Sequence, residues 1–176
     1  MTPEQRSICM SHNRAKDTGP EKLLRHSLWR RGFRYRINAK DLPGSPDIVL
    51  HKHRTVIFVH GCFWHGHQDC KYYTIPKTNT AFWVAKVARN KERDQEVWRK
   101  LEAKGWYVII VWECQLKKGR LEETIEMVSA EIVRNGEAYR AEHETRRKLR
   151  EEYLREQKVR REKERDLMKE VAYSPI

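Results

Sequence analysis

Two short runs of β-favouring apolar residues, Ile48-Val49-Leu50 and Thr55 to Val59, are separated only by HKHR at 51–54. A link that short fits a reversal and not a crossover, so residues 48–59 are expected to form an antiparallel β-hairpin. LPGSPD at 42–47 runs into the first strand, and its two prolines and glycine make it a turn. Asp47 therefore stands at the start of the first strand and His60 at the end of the second. In an antiparallel hairpin the start of one strand faces the end of the other, which brings Asp47 and His60 to one edge.

Thr18-Gly19-Pro20-Glu21 has the order of a helix start: a capping residue, a proline able to sit in the first turn, and an acid at the positive helix end. Leu23, Leu24 and Leu28 give that helix an apolar face, and Gly32 is a natural stop. Phe33, Tyr35 and Ile37 alternate with Arg34 and Arg36, the pattern of a half-buried strand. A second helix is expected from the PKTNT loop at 76–80 to about Lys104, its middle (ARNKERDQE) facing solvent or phosphate. Trp106 to Trp112 reads as a strand covered on both faces. Helix, strands, helix, strand is the order of an α/β fold: a mixed central sheet flanked by helices.

Two domains are expected, a folded one over 1–133 and a charged, helical tail over 134–176. The tail holds 13 Lys and Arg against 10 Asp and Glu, so most of the chain's net charge of +12 belongs to the folded part. Acid-to-base pairs Glu142–Arg146, Glu151–Arg155 and Glu156–Arg160 support an exposed helix there. Positive excess favours a polyanionic partner such as nucleic acid. No apolar run approaches a membrane span and the N-terminus lacks a signal-peptide core, so no membrane role and a cytoplasmic location are expected. In that compartment Cys9, Cys62, Cys70 and Cys114 would be reduced. Cys9 is read as a small apolar residue, and a monomer is expected for want of a repeated apolar seam.

VIFVHGCFWHGHQDC at 56–70 gathers three histidines, two cysteines and a Phe-Trp pair. Cys62, His67 and Cys70 have the spacing C-x4-H-x2-C, and Cys114 ends a later strand, a set that suits a four-coordinate structural zinc. The alternative is ordinary buried thiols. His60 and His65 are left over beside Asp47, whose carboxylate suits Mg²⁺, with Glu21 able to add a second carboxylate through water. Each of these residues taken alone is more simply a surface group, and the hairpin is what makes the set credible. Phe63-Trp64 either packs in a core or inserts into a stacked surface. A carboxylate leading into a hairpin also resembles a nuclease motif completed by acid-x-lysine on the next strand, a pair that VIFVHG lacks.

FVHGCFWHGH (58–67), LPGSPDIV (42–49), PKTNTAFW (76–83), RNKERD (89–94) and GWYVIIVWEC (105–114) resemble the signatures of the very short patch repair endonucleases. RSICMSHNRAKDTGPE (6–21) is similar to that family's N-terminal segment, and the resemblance covers about residues 6 to 116. It implies a restriction-endonuclease-like fold with structural Zn²⁺, and Mg²⁺-dependent nicking of duplex DNA 5′ to the T of a T:G mismatch left by deamination of 5-methylcytosine. Carried over, Asp47 and the Val59 backbone carbonyl hold Mg²⁺, Glu21 acts through water, His65 activates the attacking water and His60 contacts the scissile phosphate. Cys62, His67, Cys70 and Cys114 match the zinc ligands, and Phe63, Trp64 and Trp83 the inserting aromatics. Mismatch-repair proteins are further candidate partners in a bacterial, nucleoid-associated setting. Two positions depart from a relative in the family: Val59 replaces Thr, and the His67–Cys70 spacing is one residue longer. Two other readings stay open, a nuclease of this fold without mismatch dependence and a zinc-stabilised DNA-binding protein without catalysis.

Overall fold

The computed structural model describes residues 16–172, and the expectations for Cys9 and for most of the 6–21 segment lie outside the described residues. Helix α1 (Gly19–Arg30) opens with a capping box, in which Thr18 and Glu21 satisfy each other's backbone amides. Four strands follow, β1 (Arg36–Ile37), β2 (Ile48–Leu50), β3 (Thr55–His60) and, after helix α2 (Thr80–Ala103), β4 (Tyr107–Trp112). Helix α3 covers Leu121–Ala172. The sheet order is β1-β2-β3-β4, antiparallel between the first three strands and parallel between β3 and β4. This is a mixed α/β architecture.

The expected hairpin forms, with Ile48 opposite Ile57 and Leu50 opposite Thr55. Its link is a 3₁₀ turn, His51–His53, closed by Arg54 in a left-handed conformation. Alternation sends Ile48, Leu50 and Ile57 to one face of the sheet, where they pack with Leu24 and Leu28 of α1 and Ile125, Val128 and Ile132 of α3. Val49, Val56 and Phe58 face the other way, against Leu101, Val97 and Trp98 of α2. Every residue of β2 and all but Val59 of β3 is buried, as a strand packed on both faces requires.

Two expectations are corrected. The strand over 33–37 shrinks to the pair Arg36–Ile37. Phe33 and Tyr35 instead pack as single anchors on the core, and Tyr35 donates its hydroxyl to the Arg25 carbonyl at 2.7 Å. Positions 107–110 of β4 are only half-buried, because β4 is the outermost strand and has a neighbour on one side alone.

The chain separates into two compact units, Met1–Gly136 and Glu137–Ile176. Within the second unit the helix is held by its own ion pairs. Glu142–Arg146 forms as expected at 2.7 Å, while Glu151 and Arg160 pair instead with Arg147 and Glu164. Such exposed pairs contribute about 0.2–0.5 kcal/mol each. No described helix is long and apolar enough to cross a membrane. Since Ile57 is fully buried at the centre of the α1/α3 side of the core, Ile57→Ala is expected to cost about 2–5 kcal/mol, measurable as a fall in the urea midpoint. A loss under about 1 kcal/mol would show the two layers to be loosely packed.

Candidate active site

β3 is longer than β2, and the difference creates the site. Beyond the last ladder pair, Val59 presents its N–H and C=O on the side where β2 has ended. Its N–H donates to Asp47 Oδ2 at 2.8 Å. Asp47, Val59, His60 and Glu21 line one cleft of about 480 Å³, and the loop and α2 add His65 and Asp94 to its wall. The structure thus brings together Asp47, His60, His65 and Glu21.

Burial raises the Asp47 carboxyl to about 6, opposed by the Val59 N–H and reinforced by the nearby Glu21. His60 is pushed the other way, down to about 3, by burial and then by the neighbouring His65. The two imidazoles stack at 3.7 Å, and His60 is neutral at physiological pH. Its Nδ1 is buried with no hydrogen-bond partner among the described residues. His65 Nδ1 lies 2.5 Å from Asp94 Oδ2, so Nδ1–H donates to the carboxylate and Nε2 is the ring nitrogen turned away from Asp94.

Three groups in the site escaped the sequence reading. Asp94 lies in the charged run assigned to solvent or phosphate, yet it is buried. The signal was there: Val87, Asp94 and Leu101 recur every seven residues and are the buried positions of α2. Arg25 is the second. One of its Nη atoms reaches Glu21 Oε2 at 3.0 Å and the Asp47 carbonyl at 3.2 Å, and the other reaches Asp17 at 2.5 Å. Its signal was likewise a charge on an apolar stripe, between Leu24 and Leu28. Asn90 is the third, donating from Nδ2 to the Trp64 carbonyl at 2.8 Å and so tying the loop to α2.

The loop itself carries the cysteines and the aromatics. Cys62, His67, Cys70 and Cys114 offer ligand atoms that all lie within 4.8 Å of one another. Both Cys62 Sγ and Cys114 Sγ sit 3.5 Å from His67 Nδ1. A tetrahedral zinc with ordinary bond lengths sets sulfur and nitrogen about 3.5–3.6 Å apart, so the donor set and its spacing fit zinc. Burial pushes the Cys62 thiol up to about 12, an order that a bound cation reverses. Gly66 (φ +62°) lets this loop close on α2, since a Cβ there would stand 2.7 Å from Val87 and 2.4 Å from Lys91. Phe63, Trp64 and Trp83 form one edge-to-face cluster with centroids 5.1–6.1 Å apart. Phe82 extends it at 5.2 Å from Trp83, and Lys86 lies over three of its rings at 5.5–5.7 Å. The cluster is half-buried with Phe82 exposed, so it is a surface feature and not a core.

Residues 1–72 match the family described as DNA mismatch endonuclease Vsr. The chain is 43% identical over 117 residues to the DNA mismatch endonuclease Vsr of Escherichia coli, covering 66% of this chain and 74% of that one. It is 47% identical over 116 residues to the type II nicking enzyme V.XorIIP of Xanthomonas oryzae pv. oryzae, covering 66% of this chain and 85% of the relative. The type II nicking enzyme V.NmeAIP of Neisseria meningitidis serogroup A is 51% identical over 116 residues, covering 66% and 82%. The chain belongs to the Vsr family. It is an endonuclease.

Two measurements check this description. If the four-residue cluster holds zinc, elemental analysis of the purified Vsr-family protein should find about one zinc per chain. Cys114→Ser should lose it with a marked fall in Tm, and a metal-free protein of unchanged Tm would rule it out. The second concerns Asp47. Its native carboxyl, at about 6, binds a proton more tightly than the unfolded chain's, so without magnesium stability falls as pH rises from about 4 to 6. Asp47→Asn should remove that fall and stabilise the protein at pH 7.5 by up to about 2–3 kcal/mol. Parallel urea midpoints for the two proteins across that range would contradict it.

Proposed function

We propose that this endonuclease nicks one strand of duplex DNA 5′ to the T of a T:G mismatch, with Mg²⁺ as catalytic cofactor and Zn²⁺ as structural one. The reading rests above all on the His65–Asp94 pair, stacked on His60 and lining one cleft with Asp47. The hard oxygen donors present fit magnesium: the Asp47 carboxylate and the Val59 carbonyl, which shares the side of β3 from which Val59 donates to Asp47. Replacing the relative's Thr by Val59 leaves that carbonyl in place. Both Glu21 oxygens are already engaged by Thr18, Asp17 and Arg25, which leaves Glu21 an outer role through water. When bound, the metal would neutralise charge on the scissile phosphate.

The chain's own residues do the rest. His65 Nε2 takes the proton of the attacking water, and Asp94 holds the imidazole in the required tautomer and stabilises the cation that forms. His60, neutral and stacked on His65, offers a hydrogen bond to a phosphate oxygen. Arg25 is a positioning residue, clamping Glu21 and the Asp47 backbone together. Phe63, Trp64 and Trp83 insert beside the weakened pair and replace lost base stacking, so a mismatch lowers an unstacking cost of a few kcal/mol. Cys62, His67, Cys70 and Cys114 would hold zinc between the loop and the end of β4, which would keep those rings in register with Asp47. The basic surface supplies phosphate affinity, and the bacterial cytoplasm is the setting of such a substrate.

A labelled duplex with a single T:G mismatch, incubated with protein and Mg²⁺ beside matched T:A and C:G duplexes, tests the proposal. A nick 5′ to the mismatched T is expected, absent from the matched duplexes. Asp47→Ala should abolish it, and His65→Ala should slow it by roughly 10²–10⁴-fold. Equal cutting of every duplex would overturn mismatch dependence. Undiminished cutting by Asp47→Ala would overturn the assigned site.

A further inference from the structure

β4 is the outer strand of the sheet, and all six of its residues, Tyr107 to Trp112, are apolar or aromatic. The Tyr107 N–H donates to the Arg54 carbonyl, which sets the alternation along the strand. Positions 107, 109 and 111 direct their backbone groups to β3, and 108, 110 and 112 direct theirs outward. The outward Trp112 N–H is taken by Gln115 Oε1 at 2.8 Å. Those of Val108 and Ile110 find no acceptor among the described residues. Sheet edges are ordinarily guarded by a lysine, a proline or a bulge, because open apolar edges invite pairing. β4 has none of these guards.

A groove of about 600 Å³ runs beside this edge, between β4 and the first turns of α3. Met127 stands in it 58% exposed, a flexible side chain suited to repacking around another apolar group. Its rim carries Glu123, Glu126 and Glu131. Arg134, also on the groove, pairs with Glu131, and Arg31 pairs with Glu122, so Glu123 and Glu126 are the acids left outside any ion pair among the described residues, in a chain whose net charge is +12.

We propose that the β4 edge is a docking site for an extended, basic, β-favouring segment of a partner protein, which adds as a further strand beside β4. The backbone groups of Val108 and Ile110 supply the ladder bonds, apolar side chains of the segment enter the groove, and its lysines or arginines meet the glutamates. Charge selects this occupant over the others. The acidic rim repels DNA, and a second copy pairing β4 with β4 would bring two acidic rims together. None of the lining residues belongs to the cleft or the cysteine cluster, so the surface serves recruitment and not chemistry.

The test uses the full chain with two blocked ten-residue peptides, one alternating valine with lysine and one alternating valine with glutamate. In the free protein the Val108 and Ile110 amides should exchange with solvent on the order of 100-fold faster than those of Ile109 and Val111. The lysine peptide should slow exchange at those two amides, and the glutamate peptide should not. The triple variant Glu123→Lys/Glu126→Lys/Glu131→Lys, confined to incompletely buried rim positions, should reverse the preference by roughly tenfold or more in Kd. Protection of both amides in the free protein would overturn the proposal by showing the edge covered. So would equal protection by both peptides, protection by neither, or protection that grows with protein concentration alone, the last identifying a second copy as occupant.

Discussion

The hydrogen bond from the Val59 N–H to the Asp47 carboxylate stands where one strand of the hairpin has stopped and the other continues. Had β2 run two residues further, that N–H would have been satisfied by a backbone carbonyl and the cleft would have been filled by sheet. The proline-rich turn before Ile48 prevents it, because neither prolines nor a left-handed Gly44 can extend a ladder. The carboxylate that replaces the missing strand is desolvated, which is why its proton affinity is high, and it therefore weakens the fold that holds it. Two apolar layers on either side of β2 and β3 supply the stability against which that cost is set.

A single helix then supplies much of what the cleft and its surface need. α2 carries Trp83 and Lys86 at its start, Asn90 in contact with the loop backbone, and Asp94 in contact with His65. Spaced along one rigid rod, these groups couple the aromatic surface to the imidazole that faces Asp47. The loop between β3 and α2 has no regular structure of its own, so its shape depends on what clamps it: Asn90, the close approach at Gly66, and the cysteine–histidine cluster reaching Cys114 beyond β4. Displacement of that loop would move the rings and His65 together, which makes its rigidity a functional property.

How much of this was legible in the sequence follows from the range of each signal. The hairpin, the helix start at Thr18 and the C-x4-H-x2-C spacing are local signals: the first two formed as expected, and the third gathers its residues with Cys114. The strand expected over 33–37 forms only at Arg36–Ile37, because alternation in so short a run does not distinguish a strand from single anchors, and Tyr35 spends its hydroxyl on α1. Asp94 and Arg25 were hidden by composition: in a chain with 35% charged residues a run such as ARNKERDQE reads as solvated. Only its phase against Val87 and Leu101 separates the buried acid from its neighbours. The roles of His60 and His65 relative to each other needed tertiary structure, since their stacking depends on how the loop turns back over the end of β3.

The charge distribution makes the same point at the scale of the surface. A basic chain that binds phosphate everywhere would hold DNA in many orientations, and on the proposed reading only one of them would present a mismatch to Phe63, Trp64 and Trp83. In the first turns of α3, Glu122 and Glu131 are paired with Arg31 and Arg134, but Glu123 and Glu126 have no ion pair among the described residues, which makes that face less favourable for duplex and leaves the lysines and arginines of α2 to steer it. The same acids lie beside an apolar strand edge that the fold leaves unpaired. A face that rejects nucleic acid while exposing backbone donors is unsuited to the substrate and suited to a polypeptide, so repulsion of one ligand and attraction of another are a single electrostatic choice.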